Sequence, residues 1–270
     1  MADCYTFREH VTKSSGSLDS CIDCTYVLIM EGSKRESQIK EQVATAGITS
    51  KVIFQYNRGY KKCEKNLRIK KPNYDLEHAF KNVCTHALKR EYERILVLED
   101  DCEFDERIKT PEVLNDLHTF LVHTNPSVYN LGSFLMLPNP IDVLRGSKHQ
   151  LLLYNSSTHA TVYNKKYMEW ISKNDCLRGH IDFETNRHMS KYTYTFPLAY
   201  QKVTETENAR EGWGGGVYPL LNFMIFKPNN LSYRVQPGYD NIKRWADGIS
   251  VLILFTIVFL LLRSQLGLNQ

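Results

Sequence analysis

The sequence lacks the glycine patterns that mark the commonest nucleotide-binding folds. Its 14 glycines include neither G-x-G-x-x-G nor a P-loop, which argues against a Rossmann dinucleotide enzyme and against a P-loop enzyme. The one glycine-rich segment, residues 212–216, predicts a flexible loop or lid. Trp213 in this segment would either stack on a sugar or base or anchor the loop. A nucleotide site would therefore have to be built from other residue types.

Cysteine is present but does not indicate a disulfide framework. The seven cysteines are scattered and odd in number, so a reducing compartment is the simpler expectation. Cys21 and Cys24 have the spacing of half a zinc site. Because no second pair of that spacing follows, we expect neither zinc nor redox chemistry there.

A charge excess of one sign and an N-terminal signal are also lacking. The 34 basic residues against 30 acidic ones leave a net charge of +4, which is too weak to indicate nucleic acid as a partner. The first 20 residues contain no apolar signal region. We therefore expect residues 1–24 to be a flexible lead and the protein not to be secreted by the usual route.

A long apolar run occurs at the C-terminal end, where residues 249–262 contain only Ser250 and Thr256 as polar residues. As a helix this run covers roughly 21 Å, less than the roughly 30 Å hydrocarbon core of a bilayer, so a buried core helix is the alternative. Membrane-interface residues flank it and favour an anchor; these are Lys243, Arg244, Trp245 and Arg263. We expect residues 241–270 to be a juxtamembrane segment and C-terminal tail anchor, with the preceding domain on the cytosolic side. The glycosylation sequons at Asn155 and Asn230 would then be chance matches.

Between these ends the chain alternates strand and helix patterns, which is typical of an α/β domain. We assign this domain to residues 25–240. Strands are predicted at 26–30, 51–56, 95–98, 128–131, 151–154, 159–163 and 192–196. Helices are predicted at 33–46, 75–89, 110–125, 165–173 and 181–190.

The strand at residues 95–98 runs directly into Glu99, Asp100 and Asp101. An apolar run bounded by charges fits a strand that is covered on both faces, as in parallel sheets, and ligands gather at the carboxyl ends of such strands. Side chains alternate along an extended chain, so Glu99 and Asp101 can point the same way. Two carboxylates suit a hard cation such as Mg²⁺ or Mn²⁺. The alternative is that these acids only end the strand and solvate a loop.

Several segments, taken in order, resemble glycosyltransferase family 25, which includes bacterial lipooligosaccharide galactosyltransferases and procollagen galactosyltransferases. The similarity covers roughly residues 26–201. Its matching pieces are Val27-Leu28-Ile29 with Arg35, Thr85-His86, Leu96-Val97-Leu98-Glu99-Asp100-Asp101, the segment from Thr158 to Lys166, and Ile181-Asp182 with Pro197 and Gln201. Met30-Glu31 stands where the family has Asn-Leu, and Thr85 replaces a serine. These departures concern details of donor binding.

The resemblance implies a GT-A type nucleotide-sugar-binding domain and an inverting, metal-dependent hexosyl transfer from a donor such as a UDP-hexose to a glycan, lipid or protein hydroxyl. Glu99 and Asp101 would then hold Mn²⁺ or Mg²⁺, which neutralises the diphosphate leaving group. An inverting displacement also needs a carboxylate base. Asp182 and Glu184 are the candidates, and the resemblance favours Asp182. Both could instead be acids that stabilise a helix start.

Arg35, His86 and Asp100 are the candidate donor-binding residues, each with a plainer alternative. Arg35 could pair with the donor diphosphate or be one more surface arginine, and His86 could touch phosphate or pack at the edge of the core. Two rival functions come from other classes: a catalytically silent membrane-tethered adaptor on the same fold, and a metal-dependent phosphoesterase. A cytosol-facing transferase with a tail anchor would suit a large DNA virus or a bacterium that makes its own glycans.

Overall fold

The computed structural model describes residues 4–12, 14–133, 135–156, 158–174, 180–187, 190–201, 220, 222–231 and 233–265. The strands are β1 (Tyr5–Val11), β2 (Cys24–Met30), β3 (Lys51–Asn57), β4 (Arg94–Glu99), β5 (Cys102–Phe104), β6 (Val128–Asn130), β7 (Leu135–Pro138), β8 (His149–Ser156), β9 (Ala160–Asn164), β10 (Lys191–Tyr194) and β11 (Ala199–Gln201). The helices are α1 (Glu36–Ala46), α2 (Pro72–Lys89), α3 (Pro111–Thr124), α4 (Pro140–Leu144), α5 (Lys165–Lys173), α6 (Ile181–Thr185) and the C-terminal helix (Gly238–Gln265), with a short 3-10 helix (Glu106–Lys109) and a π-helical turn (Asn222–Phe226). The glycine-rich segment with Trp213 lies outside the described residues.

Nine strands form one mixed sheet in the order β1-β3-β2-β4-β9-β6-β10-β8-β7, and β5 pairs with β11 in a separate two-stranded sheet. The strands β3, β2 and β4 are parallel, which brings their carboxyl ends to one edge. β9 then runs antiparallel to both β4 and β6. The α/β expectation is confirmed, while the sheet is mixed rather than parallel throughout.

β4 is buried on both faces, as its unbroken apolar run predicts. Leu96 and Leu98 pack with residues of α1 and α3 on one face. Ile95 and Val97 pack with residues of α2 and α5 on the other face. Alternate side chains thus enter two cores, because successive residues of a strand point to opposite sides. The strand can therefore deliver its terminal acids to a fixed place.

Several helices begin or end where the sequence signals predict. α1 ends at Gly47, which adopts the left-handed conformation with φ of 57°, where a glycine carries no steric penalty. α3 begins with Pro111 in its first turn, and α5 has the predicted bounds. The predicted helix at 181–190 is shorter, because α6 ends at Thr185.

The first residues of the chain are not a flexible lead, which corrects the expectation for residues 1–24. Tyr5–Val11 forms β1, an edge strand that pairs antiparallel with all of β3. Cys4 and Cys63 also form a disulfide, with Cα atoms 5.7 Å apart. The expectation that all the cysteines are unpaired is therefore wrong for this pair. Among the described residues, the remaining cysteines are free and buried; they are Cys21, Cys24, Cys84 and Cys102.

The C-terminal helix belongs to the folded domain at its start and leaves it at its end. Tyr239, Ile242, Ala246 and Ser250 are buried, and the Ser250 hydroxyl donates a hydrogen bond to the carbonyl of Pro138 at 2.5 Å. Large apolar side chains are exposed along the following turns, among them Leu252, Phe255, Ile257, Phe259, Leu260, Leu261 and Leu262. The helix is long and apolar enough to cross a membrane.

Candidate active site

The candidate site lies at the shared carboxyl edge of β2 and β4. Register places Leu28 of β2 beside Glu99 of β4, so the loop that follows β2 lies next to the acids that follow β4. Gly32 in this loop has φ of 80°, a conformation that favours glycine. The turn at Gly32 carries Ser33 and Arg35 back toward the acids.

Arg35 and Ser33 bind the two aspartates that follow β4. The Arg35 guanidinium Nη1 lies 3.1 Å from Asp101 Oδ2 and 3.3 Å from Asp100 Oδ1. The Ser33 hydroxyl donates to Asp100 Oδ2 at 2.8 Å and accepts from the Arg35 backbone N–H at 3.2 Å. These contacts bring Arg35, Asp100 and Asp101 together, as the sequence predicted.

Glu99 and Asp182 approach each other through Thr158. The Thr158 hydroxyl donates to Glu99 Oε1 at 3.2 Å. It also lies near the Asp182 carboxyl, whose pKa burial raises and Thr158 partly lowers, so its single proton can serve one of the two acids at a time. The negative charge of Asp182 in turn raises the pKa of Glu99. Thr158 precedes β9, whose first residue Ala160 pairs with Leu98. Residues from β4, the start of β9 and α6 thus meet at one point.

The three carboxyls, Glu99, Asp101 and Asp182, hold protons more tightly than ordinary acids. Burial, with the charges of Asp101 and Asp182, raises the pKa of Glu99 well above its usual value. Burial raises the pKa of Asp101 to about 6 even though Arg35 and Gln201 oppose this, and burial raises that of Asp182 to about 6. Burial is the main cause in all three cases, and for Glu99 repulsion by the neighbouring acids adds to it.

Gln201 and Tyr239 form a support behind Asp101. Register places Gln201 of β11 opposite Cys102 of β5, and the Gln201 side-chain amide donates to Asp101 Oδ2 at 3.2 Å. The Tyr239 hydroxyl accepts from the Gln201 backbone N–H at 3.0 Å and donates to its carbonyl at 2.9 Å. The first turn of the C-terminal helix is therefore connected to the acidic cluster through two residues.

The structure does not bring His86 to this cluster. α2 ends at Lys89 and β4 begins at Arg94, so the last turn of α2 lies at the amino end of β4, away from Glu99. His86 Nδ1 lies 2.7 Å from the Tyr26 hydroxyl, and its ring stacks on Phe7 with centroids 3.9 Å apart. These contacts match the plainer interpretation of a histidine at the edge of the core.

Glu184 is also turned away from Asp182. Its side chain is 1% exposed and lies 3.1 Å from the guanidinium of Arg187, and its charge raises the pKa of Tyr167 on α5. Two positions apart in a helical segment, Asp182 and Glu184 point in different directions. Of the two candidate bases, Asp182 is the one that lies in the cluster.

The donor set of the cluster fits a divalent cation that is completed by substrate. Asp101 Oδ1 and Asp182 Oδ1 are enclosed and accept no hydrogen bond, and buried oxygens of this kind are rare without a partner. Within the described ranges, no three Asp, Glu, His or Cys side chains converge to hold a metal by themselves. Mg²⁺ is often bound by one or two carboxylates together with substrate phosphates, and the cluster matches that pattern.

A groove of about 360 Å³ lies elsewhere, between β1, β3 and α1. Its walls include Arg8, Lys40, Val43, Phe54 and Tyr56 but none of the clustered acids. This groove is therefore separate from the candidate site.

The local sequence does not single out all of the site. Ser33 and Tyr239 do not belong to a recognisable motif. Ser33 is placed by the turn at Gly32, and Tyr239 by the C-terminal helix, which is distant from the acids in sequence. Thr158 and Gln201 fall within the segments that resemble family 25, so a signal for them was present. The sequence alone could not show that Thr158 contacts Glu99 or that Gln201 contacts Asp101.

Comparisons with known proteins leave the family open. No family model and no curated protein sequence matches the chain. Among solved structures, the chain is similar to A197 from STIV, with 14% identity over 68% of this chain and 86% of the other and a TM-score of 0.40. It is also similar to a glycosyltransferase involved in the glycosylation of the major capsid of PBCV-1, with 12% identity over 69% of this chain and 96% of the other and a TM-score of 0.41. Similarities of this size do not assign an activity.

Proposed function

We propose that the protein is a metal-dependent inverting glycosyltransferase on a GT-A type domain. It would transfer galactose or another hexose from a UDP-sugar to a hydroxyl of a glycan, lipid or protein. The observation that carries the proposal is the buried pair of Asp101 with Arg35, together with two enclosed carboxylate oxygens, Asp101 Oδ1 and Asp182 Oδ1, that accept no hydrogen bond. The resemblance of residues 26–201 to family 25 supports it, since the clustered residues fall within the matching segments.

The roles follow from the contacts. Glu99 and Asp101 would hold Mn²⁺ or Mg²⁺, which when bound supplies positive charge for the departing diphosphate. Arg35 would bind the donor diphosphate, because a guanidinium pairs well with phosphate oxygens. Asp100 would keep Arg35 in place, since the same nitrogen contacts both aspartates.

Asp182 would act as the general base that accepts the proton of the acceptor hydroxyl. Its pKa, raised by burial to about 6, lies close to neutral pH, where a base is both deprotonated and able to take a proton. Thr158 would hold the carboxylate in position through its hydroxyl. We therefore assign the base role to Asp182 and not to Glu184.

Hydrolysis of the donor without an acceptor tests the proposal. We expect the full-length chain in detergent to release UDP from one member of a panel of UDP-hexoses in the presence of Mn²⁺, and EDTA to stop the release. Asp101→Asn should lower the rate by about 100-fold or more. His86→Gln is the matched control, because His86 lies outside the cluster, and it should retain the rate.

The rival functions predict other outcomes of the same assay. A silent adaptor releases no UDP from any sugar nucleotide, with or without metal. A phosphoesterase cleaves p-nitrophenyl phosphate with Mn²⁺ and leaves sugar nucleotides intact. Either result would overturn the transferase proposal.

We also propose that the exposed apolar part of the C-terminal helix anchors the protein in a membrane. The sequence predicts a domain on the cytosolic side, whereas the Cys4–Cys63 disulfide is more typical of an oxidising environment and so favours the opposite side. Glycosylation decides between them. Asn155 is fully buried and its side chain accepts from the Ser133 hydroxyl at 2.6 Å, so Asn230, which is exposed on a turn, is the sequon to examine by mass spectrometry.

A further inference from the structure

The segment that connects β3 to α2 is strongly basic, although the chain as a whole is not. We call residues 58–71 the basic loop. It contains seven Lys and Arg residues and a single acid, Glu64. The exposed members are Lys61, Lys62, Arg68, Lys70 and Lys71.

The middle of the basic loop is tied to the rest of the domain by a disulfide and by a buried lysine. The Cys4–Cys63 disulfide ties its middle to the start of β1. Lys65 is buried, with its side chain 1% exposed, and its ammonium donates to Asp75 and Asn57. Asp75 also accepts from the Tyr60 backbone N–H at 3.1 Å. Cations crowded on one segment repel each other, and these attachments hold them together in spite of that repulsion.

The two ends of the basic loop contact segments of the chain that also carry residues of the acidic cluster. Arg58 lies 3.8 Å from the carboxylate of Glu31, two residues before Ser33, which binds Asp100. Asn73, just after the loop, lies 3.4 Å from the ring of His180, two residues before Asp182. The loop begins at the carboxyl end of β3, which is two strands and about 10 Å from that of β4. A ligand that extends about 10 Å from the end of β4 would therefore reach the start of the loop.

We propose that the basic loop binds the acceptor, and that this acceptor is an acidic oligosaccharide with negative groups beyond the hydroxyl that receives the sugar. This inference rests on the proposed transferase function. The donor diphosphate is served by Arg35 and the acidic cluster, whereas five exposed cations spread over eleven residues suit a chain of repeated anionic groups. A surface of one charge sign also raises the local concentration of such a ligand.

Binding measurements test the inference without any requirement for catalysis. The probes are fluorescent oligogalacturonate for carboxylates, a phosphorylated mannan oligosaccharide for phosphates, and a neutral cello-oligosaccharide, each measured by anisotropy with the full-length protein in detergent. We expect at least one acidic probe to bind and the neutral probe not to bind. Affinity should fall at about 0.15 M salt, where the screening length shortens to about 8 Å.

A quadruple variant, Lys61→Gln, Lys62→Gln, Lys70→Gln and Lys71→Gln, should weaken binding of the acidic probe by about tenfold or more. The matched control changes four exposed lysines outside the loop, Lys89, Lys109, Lys166 and Lys173, to Gln and should change the affinity less than about twofold. Equal melting temperatures would show that both variants fold. Donor hydrolysis without acceptor should be the same in the loop variant and the wild type, which separates acceptor binding from the chemistry.

Three outcomes would overturn the inference. The wild type would bind neither acidic probe, the two quadruple variants would lose affinity equally, or a single-stranded oligonucleotide would bind much more tightly than either glycan through the same lysines. Acidic-glycan binding through the loop without any sugar transfer would instead leave the loop assignment standing and refute the proposed enzyme.

Discussion

Arg35 and Asp101 form an ion pair in the acidic cluster, with Arg35 Nη1 3.1 Å from Asp101 Oδ2. The Asp101 side chain is only 5% exposed whereas Arg35 is 31% exposed. Burial raises the pKa of Asp101, and the arginine partly opposes that increase. In the proposed transferase the same guanidinium would bind the donor diphosphate. Removing the Arg35 guanidinium should therefore change the charge balance of the empty site and also weaken binding of the donor.

Replacing Arg35 by Gln should lower kcat/KM for donor hydrolysis by about 30-fold to 100-fold, because a charge-assisted hydrogen bond of about 2 to 3 kcal/mol is lost. Arg35→Lys should recover only part of the rate, since an ammonium lacks the planar fork of a guanidinium. Arg90→Gln, which removes a surface pair with Glu9, is the control. An unchanged rate in Arg35→Gln would exclude it from donor binding.

Mn²⁺ should stabilise the protein against heat, because the cation relieves repulsion among Glu99, Asp101 and Asp182. At a hundredfold excess over Kd the gain is about 2.7 kcal/mol. Asp101→Asn should melt at a higher temperature than the wild type without metal, since it removes a buried charge, and should respond little to Mn²⁺. Differential scanning fluorimetry measures both. An equal response in the two proteins would place the ion elsewhere.

Tyr239→Phe should destabilise the fold by about 1 to 2 kcal/mol, because the lost hydroxyl leaves the backbone N–H and carbonyl of Gln201 without their partner. Donor hydrolysis should also fall, since Gln201 holds Asp101. Tyr233→Phe is the matched control, as Tyr233 is 89% exposed. Urea unfolding gives the stability change, and equal midpoints for the two variants would contradict the proposed support.

Stability should decrease as the pH falls from about 6.5 to about 4 through a contribution from His149. This ring stacks on Phe120 and hydrogen-bonds the Tyr129 hydroxyl, and burial lowers its pKa to about 4. The unfolded chain, with a histidine pKa near 6.5, binds the proton more readily in this window, so acid favours unfolding. His149→Gln should flatten the slope of melting temperature against pH. His123→Gln, at an exposed position, should leave the slope unaltered.

Reduction of the Cys4–Cys63 disulfide should lower stability by about 4 kcal/mol, given a sequence separation of 59 residues and the loop-closure entropy of the unfolded chain. Non-reducing peptide mapping should recover Cys4 linked to Cys63. Cys4→Ser should reproduce the loss and make the melting temperature insensitive to dithiothreitol. A wild-type melt that does not respond to dithiothreitol would argue against the bond in the isolated protein.

Periodic segments were predictable because local pattern and burial agree. β4 and α5 are the clearest cases, one through an unbroken apolar run and the other through its asparagine cap, whose side chain accepts from Tyr167 N–H. β1 was missed because its residues are mostly polar, and an edge strand needs only its backbone groups to pair with β3. Its place depends on a partner some 40 residues later, which no local window contains.

The site was predictable to the extent that acids follow a buried strand. Arg35 contacts Asp100 and Asp101, and Glu99 ends the same strand. His86 lies away from these residues, because the last turn of α2 is at the amino end of β4. The basic loop was overlooked because a whole-chain charge of +4 averages it with acids elsewhere. The net charge of a single loop can indicate a binding surface that the net charge of the whole chain conceals.

If the C-terminal helix spans a membrane as proposed, its unbroken course limits how far the acidic cluster lies from the bilayer. From Tyr239, which supports Gln201, to Ile249, where the exposed apolar stretch begins, the helix rises about 15 Å, and its buried residues pack without a hinge. With the apolar turns inserted in lipid, the domain could not rotate about a hinge in the helix or move farther from the bilayer. Only hydroxyl groups presented within a shallow layer next to the headgroups would then be glycosylated.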